Sequence, residues 1–239
     1  MISNSVPIQN QLLTVLPPEV KARWLPELEL VDMPLGKVIY ESGIKPSHVY
    51  FPETCVVSML FVLESGATAE IAVVGFEGMV GISLFMGGES TPSRALIQSA
   101  GRAYRLPAAF LKKEFNHSPP VVHLLLRFTQ ALITQMTQTA VCNRHHTLDQ
   151  QLCRWMLISL DRLVGSELVM TQELIANMLG VRREGVTEAA GKLQKSGLIS
   201  YTRGRIQVID RPGLERRSCE CYALVKKEYT RLLPNLIAI

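Results

Sequence analysis

Residues 182–188 hold the side chains best suited to reading another polymer: Arg182, Arg183, Glu184, Thr187 and Glu188. A guanidinium donates two parallel hydrogen bonds to O6 and N7 of guanine, and a carboxylate accepts from the N4 amino group of cytosine. Each such pair separates right from wrong base by roughly 1–3 kcal/mol. The chemistry works only if these side chains leave the start of a rigid element that fits the major groove, as an α-helix does.

The flanking residues supply that element. Thr171 is placed to cap a helix over 172–179 by accepting a backbone N–H two or three residues on. Leu174, Ile175, Met178 and Leu179 give this helix one apolar side. Gly180 permits a sharp turn, because a residue without Cβ takes a positive φ unstrained, and Val181 anchors the turn. A second helix is predicted over 182–196, with Val186, Ala189, Ala190 and Leu193 inward and Gly197 at its end. The five polar residues then lie exposed on its first turns.

Two strands, 198–201 and 206–209, flank a turn at 202–205 that contains Gly204, and Arg203 and Arg205 stand at its tip in reach of phosphate. Residues 182–217 carry nine Lys and Arg against four Asp and Glu, a net of +5, which suits a polyanion. The pattern is a helix-turn-helix followed by a winged hairpin, and its partner is double-stranded DNA. A helical hairpin with a solvated charged face is the plainer reading, but it gives no reason for a glycine turn, an arginine-rich helix start and a basic hairpin to coincide.

Charge is uneven over the 239 residues. Residues 1–116 hold 9 Lys and Arg and 11 Asp and Glu, and residues 117–239 hold 16 and 10. A hydrophobic fraction of 47% and a charged fraction of 19% allow two packed domains. No apolar run reaches the roughly 18–20 residues of a membrane span, and the first residues lack the basic-then-apolar pattern of an export signal. A cytoplasmic protein with no membrane partner is expected. The five cysteines, Cys55, Cys142, Cys153, Cys219 and Cys221, read as reduced thiols. Cys219 and Cys221 form C-x-C with no second pair nearby in sequence, so neither metal nor cofactor is expected. No motif marks His48, His117, His123, His145 or His146 as a haem ligand. Gly75-x-x-Gly78 and Gly87-Gly88 lack the context of a phosphate loop, and G-x-S-x-G and HExxH are absent, so no enzyme is expected.

Along the chain, residues 14–30 look helical despite Pro17, Pro18 and Pro26. Short apolar runs at 37–40, 49–51, 56–63, 69–74, 94–98 and 101–106 follow, with turn signals at 41–43, 64–66 and 75–78. That texture predicts an antiparallel β-roll or jelly roll. Pro119-Pro120 opens a long helix over 121–143, with Val122, Leu125, Leu126, Phe128, Leu132, Ile133, Met136 and Ala140 at spacings of three and four. Such a near-heptad stripe can pair with its copy in a homodimer, through Val122, Leu125, Leu126, Leu132, Ile133 and Met136. Another helix runs over 148–163 and ends at Gly165.

The segment MTQELIANMLGVRREGVTEAAGKLQKSGLI, residues 170–199, resembles the winged helix-turn-helix of the bacterial cyclic-AMP receptor protein/Fnr (Crp/Fnr) family, and the order of elements is similar over nearly the whole chain. The resemblance implies an α+β fold: a cyclic-nucleotide-binding-like β-roll sensor over 1–117, a long dimerisation helix over 118–145 and a winged helix-turn-helix domain over 146–239. It implies a homodimer on a pseudo-palindromic operator, with RNA polymerase as a further partner if the protein activates. Arg183 and Glu184 fall where the family's base-reading Arg and Glu sit. Glu188 replaces a base-contacting Arg, which implies a different base pair there.

The sensor departs from the family pattern. Cyclic-nucleotide binders hold ribose with a Gly-Glu and phosphate with an Arg-Ser/Thr-Ala segment. Here Ile82 follows Gly81 where the Glu would be, and Ser93-Arg94-Ala95 shifts the Arg by one residue, which turns a strand side chain to the other face. Glu89 and Arg94 remain as a candidate effector pocket or as a structural pair. The expected effector is something other than cyclic AMP, or none. An Fnr-like cluster lacks its N-terminal cysteines, since residues 1–54 hold none. The alternative function is a small-molecule signalling module whose helix-turn-helix meets a protein.

Overall fold

Period-two alternation broken by turns builds the first half as strands, and period-3.6 stripes build the second half as helices. The computed structural model describes residues 8–163 and 167–233, so Gly165 lies outside the described residues. Two short helices, α1 (Gln11–Thr14) and α2 (Pro18–Trp24), precede β1 (Glu29–Met33), β2 (Val38–Tyr40), β3 (His48–Pro52), β4 (Val56–Val62), β5 (Thr68–Val74), β6 (Ser93–Ser99) and β7 (Gly101–Pro107). Helices α3 (Ala108–His117), α4 (Pro119–His145) and α5 (Leu148–Leu160) follow. The last part comprises β8 (Glu167–Val169), α6 (Gln172–Leu179), α7 (Arg183–Lys195), β9 (Ile199–Thr202), β10 (Arg205–Val208), α8 (Arg211–Arg217) and α9 (Glu220–Leu232).

The strands form two antiparallel sheets in the orders β1-β7-β3 and β2-β6-β4-β5, and a small wing sheet in the order β8-β10-β9. Met33, Phe51, Val57, Val74, Ile97 and Leu106 fill the space between the first two sheets. This is the β-roll that the short apolar runs predict. Two details differ. The helical reading of 14–30 fails at its end, where Glu29 and Leu30 pair with Arg105 and Tyr104 in β7; sheet pairing overrides local preference there. The helix α3 lies where no element was expected. The long helix begins two residues early because prolines are harmless at its first positions, where N–H groups have no intrahelical partner.

Two cores result, and α4 and α5 stand between them. The first holds the β-roll, the inner face of α4 and the apolar residues Val225, Tyr229 and Leu232 of α9. The second gathers α5, α6, α7 and the wing around Trp155, Ile175, Val186, Leu193 and Ile206, and it includes Val56, Leu60 and Val73 of the roll. The roll and the winged module therefore share buried surface. Strand β5, at the edge of its sheet, packs against α6. Its exposed edge is also satisfied by Gln135 of α4, whose Nε2 donates to Val73 O at 2.9 Å, an effective way to cover an edge strand.

Polar side chains lie buried in this junction. Trp155 Nε1 donates to Glu70 Oε1 at 3.0 Å, and Ser58 hydrogen-bonds Glu70 while standing 2.9 Å from Gln98 Oε1. One hydroxyl proton cannot serve two acceptors, so a proton on Glu70 completes the set. Burial pushes the Glu70 carboxyl up from 4.5 to about 7, against the opposing hydrogen bond from Ser58 and the charge of Arg154. A carboxyl whose folded value is raised stabilises the fold in its neutral form. That contribution is whole below the unfolded value of 4.5 and is lost as pH rises through about 7. Between pH 4.5 and 7 wild type should lose about 3 kcal/mol relative to Glu70→Gln. Urea melts of the two proteins at a series of pH values check this; parallel pH profiles would refute it.

Candidate nucleic-acid interface

The winged module is built outward from its turn. Thr171 caps α6, accepting from Leu174 N–H at 3.3 Å. Gly180 follows α6 with φ +66°, the left-handed conformation that a glycine takes without cost. Ile175, Val186 and Leu193 are fully buried between α6, α7 and the neighbouring elements, each worth roughly 1.5–3 kcal/mol of burial. With those residues inward, Arg182, Arg183, Glu184, Thr187 and Glu188 are all exposed.

Their surroundings differ. Arg182 is the extended residue before α7 and Arg183 its first residue. Among the described residues, neither they nor Arg203 form an ion pair, whereas Arg205, Arg211, Arg216 and Arg217 are all paired with carboxylates. Thr187 is engaged: its hydroxyl donates to Gln172 Oε1 at 2.7 Å and lies 3.0 Å from Arg183 O. It braces α7 against α6. Glu188 pairs with Lys192 at 2.8 Å, and the hydrogen bond from Lys192 holds its carboxyl below the usual range.

The wing turn is tighter than its spacing suggests. Only Arg203 and Gly204 separate β9 from β10, with φ +51° and +78°. Both central residues of such a primed hairpin turn need positive φ, and a residue with a Cβ pays roughly 1–2 kcal/mol for it. Asparagine or glycine would fit better, so the arginine at the tip stands at a strained position of the kind that concentrates at functional sites. Arg205 is corrected from tip to brace: its Nη1 bonds Glu167 of β8 at 3.1 Å. A groove of about 460 Å³ opens between helix start and wing, lined by Thr171, Gln172, Arg183, Tyr201 and Arg203. Sequence reasoning missed Gln172 and Tyr201. Tyr201 donates its hydroxyl to Met170 O at 2.8 Å, and a tyrosine in a strand facing the arginine cluster was the available signal.

The long helix splits its stripe. Leu125 and Leu132 are buried in the chain's own first core, so they are removed from the candidate pairing surface. Leu126 and Ile133 are 49% and 50% exposed, Val122 and Met136 are half-buried, and Ala140 is exposed. These five residues continue along α4 at heptad-compatible positions.

In the roll, Gly81 (φ +108°) begins a 3₁₀ turn, and Ile82 packs on the first core. Ser93 and Ala95 point inward from β6, and Arg94 points outward, where its Nε donates to Glu41 at 2.7 Å. Glu89 bonds Lys112 and, at 2.6 Å, Lys45, and the hydrogen bond from Lys112 pulls its carboxyl down to about 2. Glu89 and Arg94 thus have separate partners, which corrects the idea that they meet as one pair. In three dimensions Cys219 and Cys221 are joined by Cys142 and His146, so the absence of further ligands near C-x-C holds only along the sequence.

Comparison with known proteins agrees with this architecture. Residues 150–217 match the Crp-like helix-turn-helix domain family. The chain is 24% identical over 219 residues to the global nitrogen regulator of Synechococcus elongatus, covering 87% of this chain and 97% of that protein. Its fold is similar to a crp/fnr-family transcriptional regulator from Eubacterium rectale, with TM-score 0.69, 19% identity, and 87% and 97% of the two chains covered. It is similar also to FixK2 from Bradyrhizobium japonicum, with TM-score 0.68, 18% identity, and 80% and 98% covered. No helix among the described residues is long and apolar enough to cross a membrane. Residues 150–217 thus match a Crp-like helix-turn-helix domain, and the β-roll, long connecting helix and winged module together have a fold similar to that of crp/fnr-family regulators.

Proposed function

We propose that this chain reads a pseudo-palindromic operator as a homodimer, with α7 of each copy in one of two successive major grooves and the wing on the adjacent backbone. Residues 1–117 act as sensor, 118–145 as the pairing helix and 146–239 as the DNA-binding domain. The observation that carries this reading is that Arg183 and Arg203 line one groove and, among the described residues, form no ion pair, while the other wing arginine and the α8 arginines are paired with carboxylates. Arg183 is assigned to base edges, Glu184 beside it to a base amino group, and Arg203 to phosphate. Glu188 is turned toward Lys192, which supports an operator that differs from those of relatives with an arginine at that position.

The signal is a ligand other than cyclic AMP, or the protein acts without one. Supporting this, Arg94 is engaged by Glu41 and Glu89 by two lysines. The contact of β5 with α6, including Thr68 Oγ1 donating to Asn177 O at 3.3 Å, offers a route by which a change in the roll would bear on the reading helices.

Two substitutions separate the roles. Arg183→Ala should weaken binding to the specific operator by about 10–100-fold and leave binding to random duplex nearly unchanged. Arg203→Ala should weaken both alike and lower the salt dependence by about one phosphate contact per chain, about two per dimer. Fluorescence anisotropy on operator and scrambled duplexes across a salt series measures both. Equal effects of Arg183→Ala on the two duplexes would remove its assignment to base edges.

A further inference from the structure

Four side chains from two distant stretches converge beside the junction of α4 and α5. Cys142 lies in the last turn of α4 and His146 is the residue just after it; Cys219 precedes α9 and Cys221 is in its first turn. Their ligand atoms all lie within 4.8 Å of one another. Cys142 Sγ is 3.5 Å from Cys219 Sγ, and Cys221 Sγ is 3.6 Å from His146 Nδ1. The three thiols form a buried cluster of their own, apart from both cores.

We propose that Cys142, His146, Cys219 and Cys221 bind one zinc ion, which fastens the end of α4 to the start of α9. The donor set is Cys₃His, one of the closed four-ligand sets of structural zinc. Zinc–sulfur bonds of about 2.3 Å in a tetrahedron put sulfur atoms roughly 3.8 Å apart, close to the spacing seen. A disulfide between Cys142 and Cys219 would need about 2.05 Å between sulfurs, well short of 3.5 Å.

The surroundings suit the ion. His146 presents Nδ1 to the thiols while its Nε2 lies 3.3 Å from Glu220 Oε2. A carboxylate on the far ring nitrogen fixes the tautomer and orientation of a ligating histidine. Gln151 Nε2 donates to His146 O at 2.9 Å, which holds the backbone of that ligand in place. Three thiolates and one Zn²⁺ leave a net charge of −1. Arg154, buried and acting electrostatically on both Cys142 and Cys221, offsets it. Among the described residues its Nε has no hydrogen-bond partner. Loading the site releases the thiol protons, as zinc binding to cysteine requires.

The consequence is mechanical. The backbone turns from α4 to α5 at His146 and Thr147, and α9 packs along α4. A zinc ion there would lock the joint between the long helix and the winged module.

The test is the metal content of full-length protein purified without chelator. About one zinc per chain is expected, with Cys219→Ser and His146→Ala reduced to a tenth or less and Cys55→Ser, whose thiol lies in the β-roll, unchanged. His146→Cys should retain the ion. Cobalt(II) in place of zinc should give the strong visible absorption of a tetrahedral thiolate site, altered in His146→Cys. Zinc-free wild type whose three thiols react freely without chelator would overturn the proposal. So would iron with acid-labile sulfide, or a Cys142–Cys219 disulfide found by mass spectrometry. Both wild-type readouts stand even if a variant fails to fold.

Discussion

Leu126→Glu combined with Ile133→Glu should turn a dimer into a monomer and reduce operator affinity by about a thousandfold. Both side chains are about half exposed on α4, one heptad apart, so charge there leaves the chain's own core untouched, and stability should change by no more than about 0.5 kcal/mol. In a paired helix the same residues would face their copies, and four carboxylates would be buried in one seam. Losing the partner removes the avidity of two half-sites, typically 10²–10⁴-fold. Sedimentation and DNA binding of the same preparation measure the effect. A double variant that remains dimeric would place the pairing surface elsewhere.

Arg162→Ala should be the most destabilising single change outside the cores. Arg162 is 2% exposed and its Nε donates to Glu77 Oε1 at 2.6 Å, while Glu77 is 0% exposed. The same guanidinium bonds Ile158 O at 2.8 Å and lies 5.6 Å from the centre of the Tyr229 ring. One residue therefore joins the turn after β5, the end of α5 and α9. Removing it strands a buried carboxylate, at a cost of about 3–5 kcal/mol. Arg162→Met with Glu77→Gln leaves no buried charge unpaired and should recover at least half of the loss. Urea unfolding of the single and double variants decides this. If the double variant is no more stable than the single, the loss comes from packing and not from the unpaired charge.

What could be read from the sequence follows how local each signal is. The helix-turn-helix was legible because Thr171, Gly180 and the inward Val186, Ala189, Ala190 and Leu193 all lie within 23 residues of one another, and each has its own physical reason. The strands of the roll were legible from alternation and turns. The stripe of α4 was only half legible. A helix packed on two sides carries apolar residues on both, and spacing alone cannot separate Leu125 and Leu132, which face the roll, from Leu126 and Ile133, which face outward.

Pairings over long separations were not legible. Arg205 with Glu167, Arg94 with Glu41 and Glu70 with Trp155 depend on which strands and helices become neighbours. The cysteine cluster is of the same kind, since Cys142 and Cys219 are 77 residues apart. Half of its ligands end one helix and half begin another, and only the packing of α9 along α4 unites them.

Recognition of a two-fold operator by paired α7 helices is most directly tested by selection of bound duplexes from a random pool, using full-length protein at near-physiological salt. The selected sequences should converge on an inverted repeat whose half-sites are centred about 10–10.5 base pairs, or a multiple of that, apart. Arg183→Ala should relax the preference at one base pair in each half-site. Enrichment no greater than that of a random pool, or a single unrepeated motif, would contradict a dimer reading DNA through α7.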